Sequence, residues 1–185
     1  MWALVEDNAI TKIINQPKGM VIDDIRYSRK IFELWSEEEL NNVGLYSVIF
    51  DDSNKRNEEF YINTNQSFNY ADGQVTASYG SATGKEIDDV TIDGVTTKGL
   101  KTIKKEIVKK QADTELSKTD WYVVRKADDG TLIPSAITEH RTAVRNKSNE
   151  METAINNALD IDALASLYIY TDGERPLGEF PILEI

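Results

Sequence analysis

The periodicity of the chain changes at Leu100, and that change limits the fold class more than any single motif. Before it, short runs of β-branched and aromatic residues are separated by turns containing Asp, Asn or Gly. From it onward, Leu100, Ile103 and Ile107 recur at helical spacing among Lys101, Lys104, Lys105, Lys109 and Lys110. Elements segregated in this way predict an α+β fold, with a β-rich N-terminal half carrying one short helix and a helical C-terminal half. The stretch from Gly80 to Gly99 is rich in Gly, Ser, Thr and Asp and reads as a long loop with at most one short strand pair around Asp93-Gly94. The expected division is therefore a β-rich domain over 1–97, with its connector starting at about 80, and a helical domain over 98–185 ending in an extended tail.

In the first half, Trp2-Ala3-Leu4-Val5 and Ala9 to Asn15 flank an Asp-Asn turn and predict a hairpin; Met20-Val21-Ile22 and Ile25-Arg26-Tyr27 predict a shorter one around Asp23-Asp24. Ser36-Glu37-Glu38-Glu39 has the spacing of a capping box, and Gly44 is placed to stop the helix that it starts. Leu45 to Phe50, Phe60 to Asn63, Gln66 to Tyr70 and Val75 to Tyr79 are strand candidates, the last two joined at Asp72-Gly73. In the second half, one helix is expected to begin near Thr119-Asp120-Trp121 and to stop at Asp128-Asp129-Gly130. Pro134 then starts the longest helix, from Ser135 to about Leu159. Ile137, Val144, Met151 and Ala158 recur on it every seven residues, with Ala154 and Ile155 thickening the stripe. Arg141 and Ser148 interrupt it, so packing against a partner or an intrachain helix fits better than a two-stranded coiled coil. Asp160 can cap a last short helix through Ala163, Leu164 and Leu167.

Composition narrows the functional classes. Hydrophobic residues at 40% and charged residues at 29% lie near ordinary globular usage and predict a folded chain. Thirty-two acidic against 21 basic residues give a net charge of -11, which repels a phosphate backbone and argues against nucleic acid as a partner. With no cysteine, disulfides, thiolate metal sites and cysteine nucleophiles are excluded. No apolar run approaches the roughly 18 residues of a membrane span, and acidic residues follow Val5 before any signal-peptide segment develops. The expectation is a protein neither embedded in a membrane nor secreted by that route.

Motifs for chemistry are equally sparse. The single histidine, His140, lies between Ile137 and Val144 on the long helix and reads as a packing residue, since general-base work needs a positioned partner and a pocket. No serine sits in a nucleophile elbow. Asp23-Asp24, Asp51-Asp52, Asp88-Asp89 and Asp128-Asp129 lack the alternating spacing and central glycine of a calcium loop and read as turn residues. The glycines match no phosphate-cradling loop. No catalytic residue, metal ligand or cofactor is therefore expected. Six lysines between Lys98 and Lys110 face Glu106 alone; they form either a solvated helix face or a dock for an acidic surface, on a partner or on this chain. Trp2, Trp35 and Trp121 stand in apolar settings and are expected in the core. Tyr61, Phe68, Tyr70 and Tyr79 permit a ligand-stacking surface, although their alternation favours sheet packing.

Two stretches together resemble small tail proteins of tailed bacteriophages. Ile31-Phe32-Glu33-Leu34-Trp35-Ser36-Glu37-Glu38-Glu39-Leu40, running to Gly44-Leu45-Tyr46, is similar to their N-terminal segment. Thr119-Asp120-Trp121-Tyr122-Val123-Val124-Arg125-Lys126, then Ile133-Pro134-Ser135, then His140-Arg141-Thr142-Ala143-Val144-Arg145 resembles the C-terminal signature of the tail-fibre assembly and tail-accessory family. The resemblance covers roughly 1–50 and 98–159; His140 stands where such sequences more often carry tyrosine. Physically, Thr119 or Asp120 can cap a helix, Trp121 can anchor it, and Arg141 and Arg145 lie four apart and can pair with carboxylates.

The resemblance implies an accessory protein retained in the virion near the fibre or baseplate, made in the host cytoplasm and working by binding other tail proteins, without enzymatic activity. The alternative is a non-virion chaperone of fibre assembly; a carbohydrate-binding or carbohydrate-processing module is the third reading. A homo-oligomer within an assembly is compatible with any of these. Trp121, Arg141, Arg145, Lys101 and Lys105 are the residues expected at a protein contact, with Trp121 read as a buried anchor or else as a binding hot spot.

Overall fold

The computed structural model describes residues 1–64 and 66–183, and the fold is α+β, β-rich before Leu100 and helical after it. Two compact units divide the chain, 1–83 and 84–185.

The first unit is built on a five-stranded sheet of order β2-β1-β5-β8-β7. β1 (Trp2–Glu6) and β2 (Ala9–Ile14) form an antiparallel hairpin whose turn residues Asp7 and Asn8 have φ of 50° and 61°. This left-handed pair matches the twist of the strands it joins, and Asp and Asn tolerate it better than other residues with a Cβ. Pairing shifts between Leu4↔Lys12 and Val5↔Ile10, which leaves Thr11 as a bulge and brings Ile10 and Ile13 to the same face despite their odd spacing. β5 (Leu45–Asp51) joins β1 antiparallel and β8 (Gln74–Ser78) parallel; β7 (Ser67–Ala71) pairs antiparallel with β8.

β1 is buried on both faces. Ala3 and Val5 pack with Val48, Val75 and Ala77 on one side, while Leu4 packs with Ile14, Met20, Ile22, Ile31, Leu40 and Leu45 on the other. On the Ala3 side, Ile10 and Ile13 from one end of the sheet and Phe68 and Tyr70 from the other meet the same cluster, and β2 contacts β7 directly. The sheet is thus rolled. The other side is covered by the hairpin β3 (Met20–Ile22) and β4 (Ile25–Tyr27), then α1 (Ile31–Leu34) and α2 (Glu37–Asn41). α1 is one turn that periodicity did not announce. α2 has the full capping box: the Ser36 hydroxyl accepts from the Glu39 amide and the Glu39 carboxylate accepts from the Ser36 amide at 2.7 Å. Gly44 follows with φ of 78° and runs so close to Val5 that a Cβ would stand 2.6 Å from its carbonyl oxygen. Trp2 and Trp35 are partly buried against this core. Of the aromatic run near 60, only β6 (Tyr61–Ile62) is strand, and β9 (Thr83–Gly84) is equally short.

The second unit opens with the hairpin β10 (Val90–Ile92) and β11 (Val95–Thr97) around Asp93-Gly94. It belongs with the helices rather than with the sheet, so the division falls at 83/84 and not at 97/98 as expected. The cause is a set of bonds that bind the connector to the start of α3 (Leu100–Ser117): the amides of Leu100 and Lys101 donate to the carbonyls of Glu86 and Ile87, and the Gly99 amide donates to Asp89 at 2.8 Å. α3 lies antiparallel to α5 (Ser135–Asn157), since Leu116 meets Arg141 and Lys109 meets Glu152. The stripe of α5 is buried as spaced, with Ile137, Val144, Met151, Ile155 and Ala158 in the core, and the helix that it faces is intrachain.

The face of α3 differs from the expected one. Leu100, Lys104, Val108 and Ala112 are buried, whereas Ile103 and Ile107 remain 38% and 44% exposed. Lys104, only 3% exposed, places its ammonium 4.4 Å from the centre of the Tyr168 ring, a cation–π contact that makes an inward lysine tolerable. α4 (Asp120–Asp129) and α6 (Ile161–Ser166) complete the unit, the latter capped by Asp160 through the Ala163 amide at 2.7 Å.

Candidate protein-binding surface

Trp121-Tyr122-Val123-Val124 are four consecutive large apolar residues, and successive helical positions turn by about 100°, so together they sweep most of the way round a helix. One core cannot bury them all. In the structure it buries none: no residue of α4 is buried, Trp121 is 51% exposed and Val124 66%, and Val123 and the following Leu132 are exposed too. The expectation that Trp121 is a buried anchor is therefore wrong; the alternative, an exposed aromatic available to a partner, matches its position. The physical reason is geometric. Trp121 packs within its own helix, its ring 3.8 Å from that of Tyr122, and the Arg125 guanidinium lies 4.7 Å from the Trp121 ring and 5.5 Å from the Tyr122 ring. Tyr122 and Arg125 stand in the signature stretch but are not among the expected contact residues; the unbroken apolar run was the available signal.

α4 is bounded sharply. Gly130, at φ of 78°, ends it in the left-handed region and donates to the Lys126 carbonyl. Asp129 accepts from Thr131, whose hydroxyl and amide hold its carboxyl below the usual range. At the other end neither Thr119 nor Asp120 caps the helix through its side chain. Thr119 is instead buried, its hydroxyl donating to the Leu116 carbonyl at 3.0 Å and accepting from Arg141 at 2.7 Å.

The other expected contact residues separate into inner and outer. Arg141 faces inward, 8% exposed, and pairs with Asp120 at 2.9 Å, so its guanidinium is used within the unit rather than by a partner. Arg145 is exposed and among the described residues hydrogen-bonds the Arg141 carbonyl, at 3.4 Å; it lines a groove of about 330 Å³ with Lys109, Ala112, Asp113, Leu116 and Ser148. Lys101 pairs with Asp88 at 3.1 Å, Lys98 with Glu106, and Lys109 with Glu152 at 3.4 Å. Much of the lysine run is thus answered by carboxylates of its own unit. Lys105 is half-buried beside Asp89, whose carboxyl is held below its ordinary value by the Gly99 amide first, then by the Thr102 hydroxyl, with Lys105 and Lys98 adding charge. The expected contact residue that remains uncommitted is Trp121 on α4, with Arg145 as an exposed cation.

The remaining chemistry is spare. His140 is buried with its Nε2 unpaired, and no cluster of three or more His, Asp or Glu side chains suited to a metal ion exists among the described residues. Among those residues, no helix is long and apolar enough to cross a membrane. Phe68 and Tyr70 pack in the sheet core and Tyr61 is buried, so these aromatics are used for packing. No protein-family model matches the chain, and neither characterised proteins nor solved structures show a significant similarity to it.

Proposed function

We propose that this chain is an accessory protein of a bacteriophage tail, retained in the virion near the fibre or baseplate, that acts by binding other tail proteins and carries no catalysis of its own. The observation that supports binding is α4: ten residues holding Trp121, Tyr122, Val123 and Val124, with none of them buried. Trp, Tyr and Arg are the residues most enriched at binding hot spots, and Trp121, Tyr122 and Arg125 stack together on this helix. The tail assignment rests on the resemblance carried by Thr119-Asp120-Trp121, Ile133-Pro134 and Arg141 with Arg145. Quantitative mass spectrometry of purified virions tests it, with a fixed ratio to a tail component as the expected result. Absence from particles together with co-purification on free fibre from infected cells would replace it with the assembly-chaperone reading, because a chaperone must release its client.

A further inference from the structure

We infer that Arg141 is a positioning residue for the α4 surface, fixing from α5 the corner out of which Trp121 is presented, an inference that rests on reading α4 as the docking helix. Its guanidinium spans that corner. Nη1 donates to the Leu116 carbonyl and to the Thr119 hydroxyl, both at 2.7 Å, and Nη2 donates to Asp120 Oδ1 at 2.9 Å. The three acceptors belong in turn to the last turn of α3, the link between the helices, and the first residue of α4.

The Leu116 carbonyl also accepts from the Thr119 amide at 3.1 Å and hydroxyl at 3.0 Å, so the Arg141 guanidinium joins a corner that is already hydrogen-bonded and adds to it the tie to Asp120. The final carbonyls of an α-helix lack intrahelical partners and carry partial negative charge, which a nearby cation stabilises. α3 has no basic residue in its last turn. Arg141 supplies that cation from another helix and ties Asp120 to the same point. A planar fork with several donors meets three acceptors at once, which a lysine ammonium at the end of a flexible stem does not reproduce. Because α4 has no buried residue and only Tyr122 and Arg125 half-buried, core packing holds it weakly. The corner contributes to its direction, through the Thr119 amide and hydroxyl on the Leu116 carbonyl and through Arg141, the side chain that reaches it from α5.

The test uses the full chain labelled with 5-fluorotryptophan, where Trp2, Trp35 and Trp121 give separate ¹⁹F resonances assigned by single Trp→Phe changes. In Arg141→Lys, which keeps a cation at the position, the expected result is a shifted or broadened Trp121 resonance with Trp2 and Trp35 unmoved. Amide exchange over 120–129 should rise roughly tenfold or more, while the α5 core amides keep their protection. A folded Arg141→Lys protein with an unchanged Trp121 resonance overturns the inference, as does a uniform rise in exchange across both α3 and α5. If Arg141→Lys does not fold, Thr119→Val combined with Asp120→Asn removes two of the acceptors with Arg141 in place, and the same two outcomes decide. No partner is needed for these readings. Incorporation of Trp121→Ala into virions separately tests whether α4 docks at all, so the two ideas can fail independently.

Discussion

α5 and α4 sit in one unit and treat their apolar residues in opposite ways. α5 spreads its large apolar side chains four to seven residues apart and buries them; α4 crowds four in succession and buries none. Burial here follows the length of the opposing surface rather than local hydrophobicity. α3, at 18 residues, offers α5 roughly 27 Å of antiparallel partner at 1.5 Å per residue. α4, which begins after the non-helical Thr119, has no comparable surface beside it among the described residues. An apolar face left uncovered next to a well-filled core is available for something outside the unit.

Substitutions in the two helices should differ in their effect on stability. Met151→Glu places a carboxylate where the native side chain is 1% exposed, and should cost about 3–5 kcal/mol by chemical denaturation, the range for an uncompensated buried charge. A loss under about 1 kcal/mol would mean that the α5 stripe is not core. Gly130→Ala comes next. Nothing lies within 4 Å of the added Cβ, so the cost is that of a left-handed alanine, about 1–2 kcal/mol. Since α4 has no core to lose, that cost should appear as fraying over 120–129 in amide exchange; global unfolding at the same denaturant concentration as wild type would agree with it.

Trp121→Ala should change stability by less than about 1 kcal/mol, far below the about 3–5 kcal/mol of a core aromatic, while weakening attachment to tail proteins by about 2 kcal/mol, roughly thirtyfold. Denaturation and quantitative virion incorporation on the same variant read the two effects; a large stability loss with attachment intact would reverse the roles assigned to α4 and α5. The smallest effect belongs to Asp89. Its folded-state carboxyl titrates below the ordinary 3.8 because the Gly99 amide bonds the charged form. Its contribution is therefore complete above the unfolded value and is lost as pH falls through the lowered folded one. Exchange of the Gly99 amide should accelerate below about pH 3.8 in the wild type and show no such step in Asp89→Asn.

What the sequence made legible depended on whether the deciding partner was near in the chain. The hairpins at Asp7-Asn8, Asp23-Asp24 and Asp72-Gly73, the Ser36 capping box and the Asp160 cap are settled within four or five residues, and each formed as spaced. The α5 stripe was legible because seven-residue spacing survives any choice of partner. The face of α3 was not: hydrophobic spacing favoured Ile103 and Ile107, but Lys104 turns inward to Tyr168, 64 positions away, and no local pattern records that. The candidate surface was half legible. Trp121 stands out in the sequence with core as its default, which its exposure overturns, and Arg141 is expected at a protein contact or paired with a carboxylate, of which the pairing formed, with Asp120. The neighbours of Arg141 in sequence give no sign that Leu116 and Thr119 await it.

The roll of the first sheet bears on how safely such a chain can be made in quantity. The end strand of an open sheet offers a row of unpaired amides and carbonyls, and nascent copies at high local concentration can template onto one another there. In this unit β2 and β7, the two ends, contact each other across a shared cluster. Each therefore shields the other from a passing strand, which favours completed folding over edge-to-edge aggregation. The bulge at Thr11 adds to this, because it breaks the regular spacing that an added strand would have to follow.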